Sequence, residues 1–331
     1  MRKHSARSLS SLLAAVLVVA GCGGPSEQED AGLRIVATTS IWGDVISELA
    51  GEDASVEVLV PLGADAHEYQ PTPRHIASLQ GADLVVANGL GLEEGLTDAL
   101  ESARMDGANI YEVGPELDPL PFAGHDPHEE EDHEDDDEDD RESHDDDPHV
   151  WFDPLRMAIA AGLIADRMAE IDSSIDWAGR AEAYAESLVE ADAAISEILA
   201  TVPGPDRKLV TNHEALGYFS DRYDFEVVGV VVPGGSSLGD PSSAEMAALV
   251  DEIRHEGVDT IFAETSQPTR LAEAVAAEVG AEVAVVELFT ESLGEPGSGA
   301  ETLVGMLLAD ARLIADALSR DPTTNLTTWT G

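Results

Sequence analysis

Residues 33–60 read LRIVATTSIWGDVISELAGEDASVEVLV. Two short apolar runs, 34–38 and 56–60, are rich in valine and isoleucine, as strands are. Between them, residues 41–50 read as a helix that Gly51 stops. Strand, helix and strand in this order predict a βαβ unit, whose strands lie parallel beneath covering helices. The pattern continues with strands predicted at 84–87 and 109–113 and a helix at 92–103. Short apolar runs separated by helical stretches argue for a parallel sheet in an α/β lobe.

After residue 153 the pattern turns helical. Met157, Ala161, Ile164, Met168 and Ile171 recur at steps of four and three, and so do Trp177, Ala181, Tyr184, Leu188, Ala191, Ile195 and Ile198. The second of these helices, predicted over 176–200, would reach roughly 37 Å at about 1.5 Å per residue, enough to run past a small lobe. Pro203-Gly204-Pro205 ends it. The βα alternation then restarts, with strands predicted at 208–211, 225–232, 260–263 and 282–288 and helices at 214–222, 243–255, 269–279 and 301–318. The expected fold is α/β with two lobes, over 33–153 and 203–331. Each has a parallel β-sheet flanked by helices, and a long helical spine over 154–202 joins them.

Residues 1–22 combine a positive n-region, an apolar h-region too short to span a bilayer, and Val-Ala-Gly-Cys, the pattern of a bacterial lipobox. Cys22 is the expected lipidation point, with residues 23–32 as a tether, so the protein is expected to be exported and anchored to the membrane by lipid. As the sole cysteine, it leaves the mature fold with no internal disulfide and no thiolate metal site. The net charge of −50 argues against nucleic acid and anionic lipid as partners. Residues 125–147 hold sixteen carboxylates, one arginine and four histidines, His125, His128, His133 and His144, without one aliphatic side chain. Such a run cannot offset its ordering entropy by burial, and a disordered loop with weak secondary metal binding is expected.

At Pro148 the composition changes. His149 stands against Trp151 and Phe152, which are expected to pack at a seam and hold it, and Asp153-Pro154 reads as an N-cap and first helical residue. His67 follows the strand 56–60, His213 the strand 208–211 and Glu291 the strand 282–288. Carboxyl ends of strands are where α/β sheets bind ligands. Three imidazoles and a carboxylate form an N3O donor set suited to tetrahedral zinc. Taken singly, each histidine is better explained by packing or capping, and the case rests on their common placement. A zinc hydrolase would use the same three histidines, although no general base stands out. A metal-binding adhesin displayed on the lipid anchor is a further alternative.

Four segments, GADAHEYQPTP from Gly63, DPHVWFDP from Asp147, TNHEALGYFSDRY from Thr211 and IFAETSQPTR from Ile261, together resemble the metal receptors of ABC importers, cluster A-I, in their zinc (ZnuA-like) form. The resemblance covers residue 34 to about 318 and implies a receptor rather than an enzyme. It implies a monomer that captures Zn2+ in the cleft between lobes and delivers it to an ABC permease and its ATPase. His67 and His149 match the first lobe's ligands. His213 matches the histidine of zinc-type members, where many manganese-type members carry glutamate. Glu291, in Thr290-Glu291-Ser292-Leu293, stands where the family usually has aspartate. Glu264 in the IFAE phrase is expected to support a ligand or the strand end. The acidic histidine run also resembles zinc-type members. The alternative within the family is a manganese or mixed receptor. Since ligating histidines must lose their protons, reference pKa values near 6.5 predict binding that weakens below about pH 6.

Overall fold

The computed structural model describes residues 32–122, 146–280 and 283–319. The export signal, Cys22 and the histidines 125, 128, 133 and 144 lie outside the described residues.

The first lobe runs β1 (Leu33–Ala37), α1 (Ser40–Ala50), β2 (Ala54–Val58), α2 (Pro73–Gly81), β3 (Leu84–Ala87), α3 (Thr97–Met105) and β4 (Ile110–Glu112). Its four strands are all parallel and lie in the order β2-β1-β3-β4. The sheet forms around β3, wholly apolar and buried, and the buried Ile35–Ala37 end of β1, as strands covered on both faces must be. Thr39 caps α1 by accepting the Trp42 N–H, and Thr72 closes a capping box with His75 at the start of α2.

The helical section is α4 (Pro154–Ile171) and α5 (Trp177–Leu199). Asp153 caps α4 through the Leu155 and Arg156 N–H groups, with Pro154 at the first helical position. The apolar stripes of both helices are buried except at their ends, where Ile171 is exposed and Ile198 half-buried, and Trp177, Leu188 and Ile195 lie in the main core.

The second lobe runs β5 (Lys208–Thr211), α6 (Gly217–Tyr223), β6 (Glu226–Val230), α7 (Ser243–Glu256), β7 (Thr260–Glu264), α8 (Arg270–Val279), β8 (Ala284–Leu288) and α9 (Leu303–Leu318). Its strand order, β6-β5-β7-β8, repeats that of the first sheet, again all parallel. The two lobes therefore share a topology that no sequence repeat announces. α9 packs along α5, and its first N–H, on Leu303, is taken by Asp44 of α1 at 2.8 Å. No described helix is long and apolar enough to cross a membrane.

Four sequence expectations need correction, the first being the helix predicted from residue 214, which begins at Gly217. The pairing that defines β2 starts at Ala54 rather than residue 56, although the Leu59 and Val60 N–H groups still bond to Ala37 and Thr38. The helix expected from residue 92 begins at Thr97. Glu93 is pulled inward, where its buried carboxylate accepts the Thr38 hydroxyl and the Asn88 and Gly89 N–H groups, and only a 3-10 turn, Glu94–Leu96, links it to the α-helix. The acidic run does not reach Asp147 as a solvated segment. Asp146 forms an antiparallel bridge with Pro121, and Asp147 is fully buried.

Candidate metal centre

The four side chains singled out in the sequence meet at the carboxyl ends of the strands. His67 lies in the loop after β2, His149 on the segment that enters α4, His213 just past β5, and Glu291 just past β8. Each offers a ligand atom, and these atoms all lie within 4.8 Å of one another. His149 Nε2 is 3.1 Å from His213 Nε2 and 3.2 Å from Glu291 Oε1, and His213 Nε2 is 3.5 Å from the same oxygen. The His67 ring centre is 5.7 Å from both other imidazoles. All four residues are buried.

Each of the four side chains is held from behind. Asp65 Oδ1 accepts the His67 N–H at 2.8 Å, and Glu94 Oε1 stands 3.3 Å from His67 Nδ1. Asp147 Oδ1 takes both the N–H of His149, at 2.9 Å, and its Nδ1, at 2.6 Å. Glu264, at the end of β7, bonds His213 Nδ1 through Oε1. The Glu291 loop is gripped by the first lobe. Trp151 Nε1 donates to the Thr290 carbonyl at 2.9 Å, Gly63 N–H to Ser292 Oγ at 2.9 Å, and Leu293 N–H to Ser40 Oγ at 3.1 Å. Trp151 also stands edge-on to His149, with ring centres 5.3 Å apart. Asn88 Nδ2 donates to the Pro148 carbonyl at 3.0 Å and fixes the peptide that leads into His149.

The electrostatics match the geometry. Burial works against a charged His149, but the Glu291 and Asp147 carboxylates outweigh it and raise its pKa to about 9. His213 is raised well above the ordinary range: burial opposes this, and Glu264 and Glu291 overcome it. For Glu291, burial alone would raise the pKa, but the imidazoles around it hold it well below the usual carboxylate range. Buried polar atoms are normally paired. His67 Nε2 and Glu291 Oε2 have no hydrogen-bond partner among the described residues. A centre of facing imidazole nitrogens and carboxylate oxygens with unpaired electron pairs suits a divalent cation.

Other candidates fall elsewhere. Glu68 is exposed, and His75 is occupied with the cap of α2. His255 sits with Glu252 and Glu256 on α7, where the Glu256 carboxylate is taken by Lys208. Sequence reasoning missed Asp147, because an aspartate that ends a run of carboxylates carries no composition signal of its own. Its place two residues before His149 was the clue available.

The model of the family described as zinc-uptake complex component A, periplasmic (ZnuA), matches residues 35–317. The chain belongs to this family. Its members are substrate-binding proteins of metal ABC transporters, receptors rather than enzymes, that work with a permease and an ATPase. Relatives of this ZnuA-family chain carry different metals in their names. The manganese-binding lipoprotein MntA of Halalkalibacterium halodurans is 31% identical over 93% of this chain and 97% of its own length. The iron-binding protein YfeA of Yersinia pestis is 30% identical over 80% of this chain and 79% of its own. The solved structure of the periplasmic zinc-binding protein TroA from Treponema pallidum superposes with a TM-score of 0.76 at 27% identity, covering 87% of this chain and all of that one. The fold and the receptor class are thereby fixed, and the cargo is a divalent metal.

Proposed function

We propose that this protein is an extracytoplasmic zinc receptor. It binds Zn2+ through His67, His149, His213 and Glu291 and passes the ion to its permease. The observation that carries the reading is the convergence of three imidazoles and one carboxylate within 4.8 Å at a buried seam between lobes. Four donors, three of them nitrogen, suit tetrahedral zinc, whereas manganese favours oxygen and a higher coordination number. The first lobe supplies two ligands and the second lobe the other two, so release to the permease requires the lobes to part. Cys22 anchors the mature chain to the membrane, and the receptor works as a monomer of two lobes, 33–153 and 203–331, joined by the spine 154–202. The name of MntA supports the runner-up, a manganese or mixed receptor. Metal analysis of protein purified without added metal, followed by competition titration with both ions at neutral pH, separates the two. Equal or tighter manganese binding overturns the zinc reading.

A further inference from the structure

We propose that Asp147 is a positioning residue of the metal centre: seated on α6 of the second lobe, it aims the imidazole of the first-lobe ligand His149. The inference rests on the reading of His149 as a metal ligand. One oxygen, Asp147 Oδ1, accepts from both the backbone and the ring of His149, at 2.9 and 2.6 Å. The ring bond makes Nδ1 the protonated nitrogen and turns Nε2 towards His213 and Glu291, at 3.1 and 3.2 Å. A carboxylate that served only the chain turn would need the backbone bond alone. Glu264 treats His213 in the same way through its Nδ1. Partners of this kind fix the tautomer and orientation of a metal-binding imidazole and make it a better donor.

The seat of Asp147 is specific. The Tyr218 hydroxyl donates to the Asp147 carbonyl at 2.8 Å and accepts the Leu120 N–H at 3.0 Å, while Asp147 N–H returns to the Leu120 carbonyl at 2.7 Å. The other oxygen, Oδ2, lies against Gly217, where an added Cβ would collide with it. Gly217 and Tyr218 both belong to α6, four and five residues past His213. The orientation of a first-lobe ligand is therefore set by an element of the second lobe, and ligand alignment is coupled to the closed arrangement of the two.

The test is zinc affinity, measured by chelator competition, for Asp147→Ala, Asp147→Asn and Gly217→Ala. His149→Ala is the benchmark and the exposed Glu68→Gln the control. Losing a partner of this kind should weaken zinc about 10–100-fold in Asp147→Ala. The asparagine oxygen can still accept from Nδ1, so Asp147→Asn should recover most of that loss. Gly217→Ala, which touches no ligand, should weaken binding in the same direction, and it keeps the idea testable if Asp147→Ala fails to fold. Visible absorption of the Co2+-loaded proteins should shift for Asp147→Ala and Gly217→Ala, a signature that a purely structural loss would not give. Wild-type affinity and an unchanged cobalt spectrum in both variants, with His149→Ala impaired, would overturn the positioning role. If His149→Ala also binds normally, the ligand assignment itself falls and takes this inference with it.

Discussion

Metal capture by this centre should expel protons well above the pH at which free histidine titrates. The perturbation is pH itself. Zinc can take His149 only in its neutral form. With its pKa at about 9, the site holds that proton at neutral pH. Going from pH 9 to pH 7 opens about two units of competition, on the order of a hundredfold in apparent affinity. An imidazole at its ordinary value would contribute almost nothing over that interval. His213, raised in the same direction, adds to the effect, and Glu291, held low, stays ionised throughout. Weakening therefore begins about two and a half units above the limit near pH 6 that reference values predict. Calorimetry at pH 7 in two buffers of different ionisation enthalpy should find at least about one proton released per zinc. The metal-free protein carries the opposite linkage. Raised histidine values give stability that is complete below about 6.5 and lost as pH climbs through about 9, whereas the lowered Glu291 value gives stability present above 4.5 and lost in acid. Its melting temperature should thus peak between about pH 4.5 and 6.5. A proton release below about half per zinc, together with an affinity flat from pH 8.5 to 6.5, would refute the argument.

Three further outcomes can be checked. Glu291→Ala should weaken zinc at least about tenfold less than His149→Ala or His213→Ala in the same competition assay, because water can replace a carboxylate oxygen more readily than an imidazole. Trp151→Phe should leave the buried Thr290 carbonyl without its donor and lower unfolding stability by about 1–3 kcal/mol, measured by urea denaturation of the metal-free protein. Removing residues 125–145 should keep the tight site and slow zinc capture only at low ionic strength, by stopped flow, because the run acts through charge that salt screens. A deletion that extends through Asp147 should also lower affinity.

The difference between those two deletions marks where the sequence stops being readable. Apolar runs and caps located both sheets, the spine and the entry into α4, because strand and helix periods and the Asp153-Pro154 cap are local signals. The four candidate donors were readable for a related reason: His67, His213 and Glu291 each follow a strand end and His149 stands at the entry into α4, and the shared topology carries these points to one place. Of their supports, Glu264 was read from the IFAE phrase and does bond His213, whereas carboxylates whose burial depends on partners distant in the chain were not readable. Glu93 leaves the expected helix to serve Thr38, 55 residues away. Asp147 looks like the last residue of a solvated run until Tyr218, 71 residues on, is seen to hold its carbonyl. Composition assigns both carboxylates to the surface, yet the fold buries both and points them at backbone or imidazole N–H groups. In a chain with a net charge of −50, carboxylate is so abundant that its presence says little. What distinguishes the few that matter is burial, and that burial follows from contacts distant in the chain, inside the first lobe for Glu93 and against α6 of the second lobe for Asp147, which no local pattern encodes.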